Sequence, residues 1–280
     1  MTAAFRGPRQ VRGIRLYVDY QPGEGTPLLL CNGLGTNLEL MQPFVDALAA
    51  QPGRRVPVIR VDMPGSGGSA STRLPVRLPR LARLLADLVT DLGHAEVDVL
   101  GLSWGGSLAQ EFARRHSRLC RRLVLCASSM GMIGVPPNPS VLLTSAGLLT
   151  FFGAVPVQQT GDRIFGGGFG DDPAVADRFA ADLRAPAPVG YLWQTLAWLG
   201  WTSAHYLPLL AQPALVVAGD ADPLIPAANA RLMALLLRRG RLHIVRGGGH
   251  LVLLTHTAKV TPMIHAFLDA HGQEWVRTSG

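Results

Sequence analysis

The stretch "GLSWGGSLAQ", residues 101–110, sets one serine between a tryptophan and three glycines where an apolar run becomes helical. Glycine costs a helix roughly 1 kcal/mol against alanine, so glycines packed this densely at a helix start answer to something other than stability. The run before it, "VDVLGLS" (97–103), reads as a buried strand, and the apolar spacing after it predicts a helix near 105–116. Gly101, Ser103 and Gly105 fit G-x-S-x-G, in which a serine on a strained strand-to-helix turn projects its hydroxyl above a sheet. Gly101 and Gly105 let strand and helix approach closely, and the helix amino terminus aims N–H dipoles at the serine. Ser103 is therefore the candidate nucleophile.

Outward from this turn, "PLLLCN" (27–32), "PVIRVD" (57–62), "LVLCASS" (123–129), "ALVVAGD" (214–220) and "LHIVRG" (242–247) repeat the pattern of short apolar runs. Such runs predict parallel strands buried on both faces. Helices are predicted near 81–92, 227–239 and 256–270, which gives a βαβ rhythm. The segment "IRLYVDYQPGEGTP" (14–27) alternates and turns, as an antiparallel edge hairpin would. The whole predicts an α/β protein with a mostly parallel, eight-stranded sheet and helices on both faces. Between about Met130 and Pro213 the rhythm fails, and "PPNP", "IFGGGFG" and "YLWQTLAWLGW" take its place. Residues 1–129 and 214–280 are thus expected to form the core domain, and 130–213 a helical cap insertion.

In open α/β sheets, ligands bind beyond the carboxyl ends of the strands. A serine hydroxyl needs a base to take its proton, and a carboxylate to orient that base. "GDADPLIP" follows "ALVVAGD" and "GGH" follows "LHIVRG", so an acid and His250 lie past the last two strands. Asp222 is the expected acid, because it stands farther into a loop stiffened by Pro223 and Pro226; Asp220 is expected to form a turn within its own loop. His243, His256, His265, His94, His116 and His271 fall in strand or helix patterns, and His205 lies in the insertion; none is expected to act as the base. Acyl transfer also needs donors for an oxyanion. The N–H of Leu34 in "CNGLG", beside Gly33 and Gly35, is expected to pair with that of Trp104, and Asn32 to brace the loop or contact substrate.

Composition narrows the alternatives. The chain has 280 residues, is 48% hydrophobic and carries a net charge of +7, so it is long enough to bury a large core. Every Lys or Arg position except Lys259 is arginine, yet the two clusters, Arg73, Arg77, Arg80, Arg83 and Arg114, Arg115, Arg118, Arg121, Arg122, fall at helical spacings and read as solvated helix faces. No nucleic-acid partner is expected. The single lysine excludes a P-loop, and "GSGGSA" fails G-x-G-x-x-G. Three scattered cysteines fit reduced thiols, no zinc spacing occurs, and no export signal opens the chain; a cytoplasmic place is expected. "VLLTSAGLLTFFGAVPV" (141–157) is broken by polar residues, glycines and a proline, and is expected to be a buried or interface helix rather than a membrane span.

"NGLGTNLEL", "DMPGSGGS", "SWGGSLAQEF", "FGGGFGDDP", "LGWTSAHYL", "AGDADPLIP", "LHI" and "GGGHL" together resemble the α/β-hydrolase superfamily and, within it, the intracellular medium-chain-length polyhydroxyalkanoate depolymerases. The resemblance runs from Leu28 to Phe267 and includes Asp62, Pro64, Gly65, Gly67 and Ser69 in the turn after a strand. It implies cleavage of cytoplasmic storage polyesters, at or near their granules, by a serine triad of Ser103, Asp222 and His250 with no cofactor and no metal. Arg246 and Gly247 depart from it, standing where acidic residues are expected. On this reading Gly33, Tyr191, Trp193, Trp198 and Trp201 would line the site for an aliphatic polyester. Alternatives on the same fold are a small-molecule carboxylesterase or lactonase and a hydrolase of C–C bonds. A granule-surface protein binding through 141–157 is a third.

Overall fold

Alternation within the apolar runs builds two cores from one sheet. The structure is a computed structural model that describes residues 3–138, 141, 157–170 and 173–270. Its strands are β1 (Phe5–Val11), β2 (Ile14–Gln21), β3 (Leu28–Cys31), β4 (Val58–Asp62), β5 (Val97–Leu102), β6 (Cys120–Cys126), β7 (Ala214–Gly219) and β8 (Gly240–Val245), in the spatial order β1-β2-β4-β3-β5-β6-β7-β8. β1 and β2 pair antiparallel, β2 runs antiparallel to β4, and every later pairing is parallel. Successive side chains on a strand point to opposite faces. Leu29, Val99, Leu123 and Val216 accordingly pack on one side with α2 (Leu78–Asp91) and α3 (Trp104–Arg115). Their neighbours Leu28, Leu100, Val124 and Leu215 pack on the other, with α1 (Gln42–Ala49).

Between β6 and β7 come α4 (Val157–Phe165), α5 (Pro173–Asp182) and α6 (Pro188–Trp198); α7 (Ala227–Leu236) and α8 (Thr257–Asp269) follow β7 and β8. α7 joins the face of α2 and α3, and α8 that of α1. The start and finish of the insertion meet at one antiparallel bridge, Gly131 to Thr202. Trp201, Tyr206, Leu207 and Leu210 are buried within the main core cluster, so the expected boundary at residue 213 cuts through shared packing. Most of the 141–157 stretch, and His271, lie outside the described residues. Among the described residues no helix is long and apolar enough to cross a membrane.

Three expectations need correction. The edge hairpin is Phe5–Gln21, not 14–27: it turns at Arg12 and Gly13, whose φ values of +49° and +74° fit a two-residue turn of mirror-image type. β1, "FRGPRQV", has too few apolar residues to announce itself. Arg121 and Arg122 sit in β6, not on a helix face: the Arg121 Nε donates to Asp98 Oδ1 at 2.8 Å, and an Arg122 Nη1 donates to the Leu268 carbonyl at 3.2 Å. Asp98 is fully buried, and its charge explains two arginines in a strand. Lastly, β8 is half-exposed rather than buried on both faces, because it ends the sheet.

Candidate active site

Ser103 follows β5 directly, with φ +54° and ψ −120°. A non-glycine residue held there stores about 1–3 kcal/mol of strain, which the surroundings must offset. They do so through hydrogen bonds: the Ser103 N–H donates to the Cys126 carbonyl at 2.9 Å, and the Ser128 hydroxyl donates to the Ser103 carbonyl at 2.9 Å. The glycines around it leave room. A Cβ on Gly105 would lie 2.0 Å from the Cys31 carbonyl oxygen, and one on Gly101 would lie 2.4 Å from the Gly105 carbonyl oxygen.

His250 reaches the serine from the loop after β8, with Nε2 2.9 Å from Ser103 Oγ. Its Nδ1 is 2.9 Å from Asp222 Oδ2, in the loop after β7. A carboxylate opposite Nδ1 selects the tautomer protonated there, which leaves Nε2 a lone pair for the serine proton. The other Asp222 oxygen accepts the N–H groups of Leu224 and Ile225, each at 2.9 Å. Asp222 and His250 are both buried, so the relay is shielded from water. Asp220 does not bond within its own loop as expected. Its carboxylate accepts the Gly247 N–H at 2.7 Å and so ties the acid-bearing loop to the histidine loop.

The Leu34 and Trp104 N–H groups have no acceptor among the described residues. Gly33 and Leu34 line the same cavity as Ser103 and His250. The Gly33 carbonyl accepts both the Thr36 N–H, at 3.2 Å, and the Thr36 hydroxyl, at 2.9 Å. Asn32 is buried outside the cavity lining, and neither of its amide atoms has a partner among the described residues. Asp62 supports the loop from below, accepting the Leu38 N–H at 2.7 Å and the Gly68 N–H at 2.7 Å. Burial pushes its carboxyl up to about 6, against the pull of those two bonds.

The cavity holds about 420 Å³ and is mostly apolar, walled by Leu40, Ile164, Phe165, Phe179, Leu251 and Leu254 among others. Of the predicted aromatic residues only Tyr191 lines it. The Trp193 indole donates to the Thr72 carbonyl at 3.0 Å, and Trp198 packs on the main core. The Trp201 indole donates to Glu111 at 3.1 Å and faces a separate cleft. The apolar walls that sequence reading missed come from α4 and α5, where Phe165 and Phe179 form one aromatic cluster with Phe169 of the turn between the helices. The nearest signal was "IFGGGFG", whose glycines admit close contact with both catalytic-side loops. A Cβ on Gly166 would sit 2.1 Å from the Ala221 carbonyl oxygen, and one on Gly167 would sit 2.2 Å from that of Gly247. The backbone of Phe165 accepts the His250 N–H at 2.6 Å.

Burial pushes the Cys31 thiol up to about 12 and raises those of Cys120 and Cys126 as well. Residues 26–257 match the family described as having the alpha/beta hydrolase fold. The chain is an α/β hydrolase. The hydrolase is 44% identical, over 251 residues, to a poly(3-hydroxyalkanoate) depolymerase of Ectopseudomonas oleovorans, a match covering 90% of this chain and 87% of that one. Among solved structures it is similar to the enol-lactonase of Burkholderia xenovorans LB400, with TM-score 0.78 and 23% identity over 94% of this chain and 100% of that one. It is also similar to an esterase of Exiguobacterium antarcticum, with TM-score 0.78 and 18% identity over 95% of this chain and 100% of that one. At those identities the two structures speak for the fold alone.

Proposed function

We propose that this hydrolase is a serine esterase that depolymerises poly(3-hydroxyalkanoates) with medium-length side chains, in the cytoplasm at the polyester surface. The observation that carries the reading is the hydrogen-bonded series Ser103, His250, Asp222, whose first two members line an apolar cavity. Ser103 Oγ attacks the ester carbonyl carbon while His250 Nε2 takes its proton, and Asp222 steadies the imidazolium. The Leu34 and Trp104 N–H groups hold the developing oxyanion, each contributing roughly 3–4 kcal/mol to the transition state. Collapse returns the proton to the leaving hydroxyl end of the polymer, and water then releases the acyl group by the same route. Leu251, Leu254 and Ile164 offer aliphatic surface suited to an alkyl side chain. The insertion would serve as a cap over this cavity. The depolymerase named above supports the choice of substrate.

A small-molecule esterase or lactonase is the second reading, favoured by a cavity whose 420 Å³ falls within the range of sites that enclose small ligands. Purified protein incubated with a medium-chain polymer emulsion, with mass detection of products, separates the two. Release of 3-hydroxyacids, reduced about 10⁴- to 10⁶-fold by Ser103→Ala, is the expected result. Hydrolysis of a p-nitrophenyl ester with no release from polymer would replace the polymer reading with the small-ester one. Polymer turnover that survives Ser103→Ala would remove Ser103 as nucleophile.

A further inference from the structure

Gln194 is a polar side chain on α6 that is only 3% exposed, in a helix whose other buried positions are Gly190 and Ala197. Its Oε1 accepts the Gly35 N–H at 2.8 Å, and its Nε2 donates to the Pro64 carbonyl at 3.2 Å and lies 3.4 Å from Ser66 Oγ. Its backbone carbonyl accepts the Trp104 indole N–H at 3.0 Å. One residue of the insertion thus grips the neighbour of Leu34 on one side and the side chain of Trp104 on the other.

A trans peptide is planar, so fixing one of its polar groups fixes the direction of the other. Thr36 holds the Gly33 carbonyl and thereby aims the Leu34 N–H; Gln194 holds the next plane through the Gly35 N–H. The helix carrying Gln194 has little room to slide. A Cβ on Gly65 would meet Gly190 Cα at 2.3 Å, and one on Gly35 would meet the Tyr191 ring at 2.8 Å. Burying an amide costs free energy unless its bonds are made, and an apolar residue here would leave the Gly35 N–H unpaired.

We propose that Gln194 is a positioning residue that acts from the insertion to hold the Leu34 and Trp104 N–H groups in register for the oxyanion. This rests on Ser103 being the nucleophile, so the test begins with an alkyl trifluoromethyl ketone. Ser103 Oγ adds to its carbonyl carbon, the carbonyl π pair becomes the oxyanion, and the serine proton passes to His250. Gln194→Met keeps the length and removes the side-chain hydrogen bonds to Gly35, Pro64 and Ser66. The expected result is a 10- to 100-fold loss in kcat on a p-nitrophenyl alkanoate and a matching loss in ketone affinity, with KM changed less than about three-fold. A role in folding alone would lower Tm without weakening the ketone more than the substrate.

Gln194→Glu retains an acceptor for Gly35 but loses the donor to the Pro64 carbonyl and buries a charge, so its ketone affinity should fall less than that of the methionine variant without matching wild type. A loss below five-fold in either kcat or ketone affinity for the methionine variant overturns the proposal, as does a change confined to KM. Should the methionine variant fail to fold, Gln194→Asn decides in its place, because a side chain one methylene shorter withdraws the acceptor from the Gly35 N–H without adding charge: ketone binding less than five-fold weaker than wild type overturns the proposal, and a larger loss sustains it. A wild-type protein that forms no ketone adduct would instead overturn the serine mechanism itself.

Discussion

The insertion meets the site along two seams of opposite chemistry. Toward the loops of Asp222 and His250, the proposed acid and base, Gly166 and Gly167 bring bare backbone against Ala221 and Gly247, and the contact works because side chains are missing. Toward the loop of Leu34, the proposed oxyanion donor, Gln194 supplies a side chain with directional bonds. Bare backbone contact fixes distance and tolerates nothing larger; the hydrogen bonds fix orientation. The difference suits the tasks: a proton relay fails when its members move apart, and an N–H donor fails when it turns away.

The glycine seam should be the more fragile. Gly167→Ala puts a methyl group 2.2 Å from the Gly247 carbonyl oxygen and 2.9 Å from Ala221 Cβ, so one of the two loops has to move. We expect kcat to fall by about 10- to 100-fold, since a misplacement near 1 Å costs roughly that much, together with about 1–3 kcal/mol of stability. Steady-state kinetics and denaturant unfolding check both. Activity within two-fold of wild type would mean the loops yield without moving His250.

A third attachment, remote from the reaction, sharpens the contrast. Glu111 on α3 is buried and accepts the Trp201 indole at 3.1 Å and the Tyr206 hydroxyl at 3.0 Å, with Arg115 on its other oxygen. Burial, the largest influence, pushes its carboxyl up, but the bonds from Arg115, Trp201 and Tyr206 together hold it below its usual value. A carboxyl lowered in the folded state stabilises above its unfolded pKa, and that stabilisation drains away as pH falls through the folded one. Glu111→Gln should therefore cost about 1–3 kcal/mol at pH 7 while leaving kcat within two-fold. The gap between wild type and variant should narrow as unfolding is repeated below about pH 4. A gap that widens in acid would contradict the assigned direction.

The sheet was legible because β3 to β7 are buried on both faces, and the physics of burial writes itself as unbroken apolar runs. The triad candidates were legible because G-x-S-x-G and the acid loop each follow such a run, and Gly248-Gly249-His250 follows the shorter apolar run of β8. β1 was not, since an antiparallel edge strand needs few apolar residues. The arginines of β6 misled because their neutralising partner, Asp98, is distant in sequence. The tryptophans misled for another reason: on α6 the buried positions Gly190, Gln194 and Ala197 recur at helical spacing, and Trp193 falls off that face. Small and amide residues at i, i+4 and i+7 were the available signal, and they mark a tight helix contact rather than a lining.

β8 closes the sheet on one side and has only β7 as a neighbour. The loop that bears the imidazole thus leaves one of the two border strands of the sheet, β1 being the other, and a strand paired on one side alone has fewer backbone bonds to hold it against local opening. If that border opens first on warming, the imidazole would part from the serine while the interior still holds, and activity would be lost before the core unfolds.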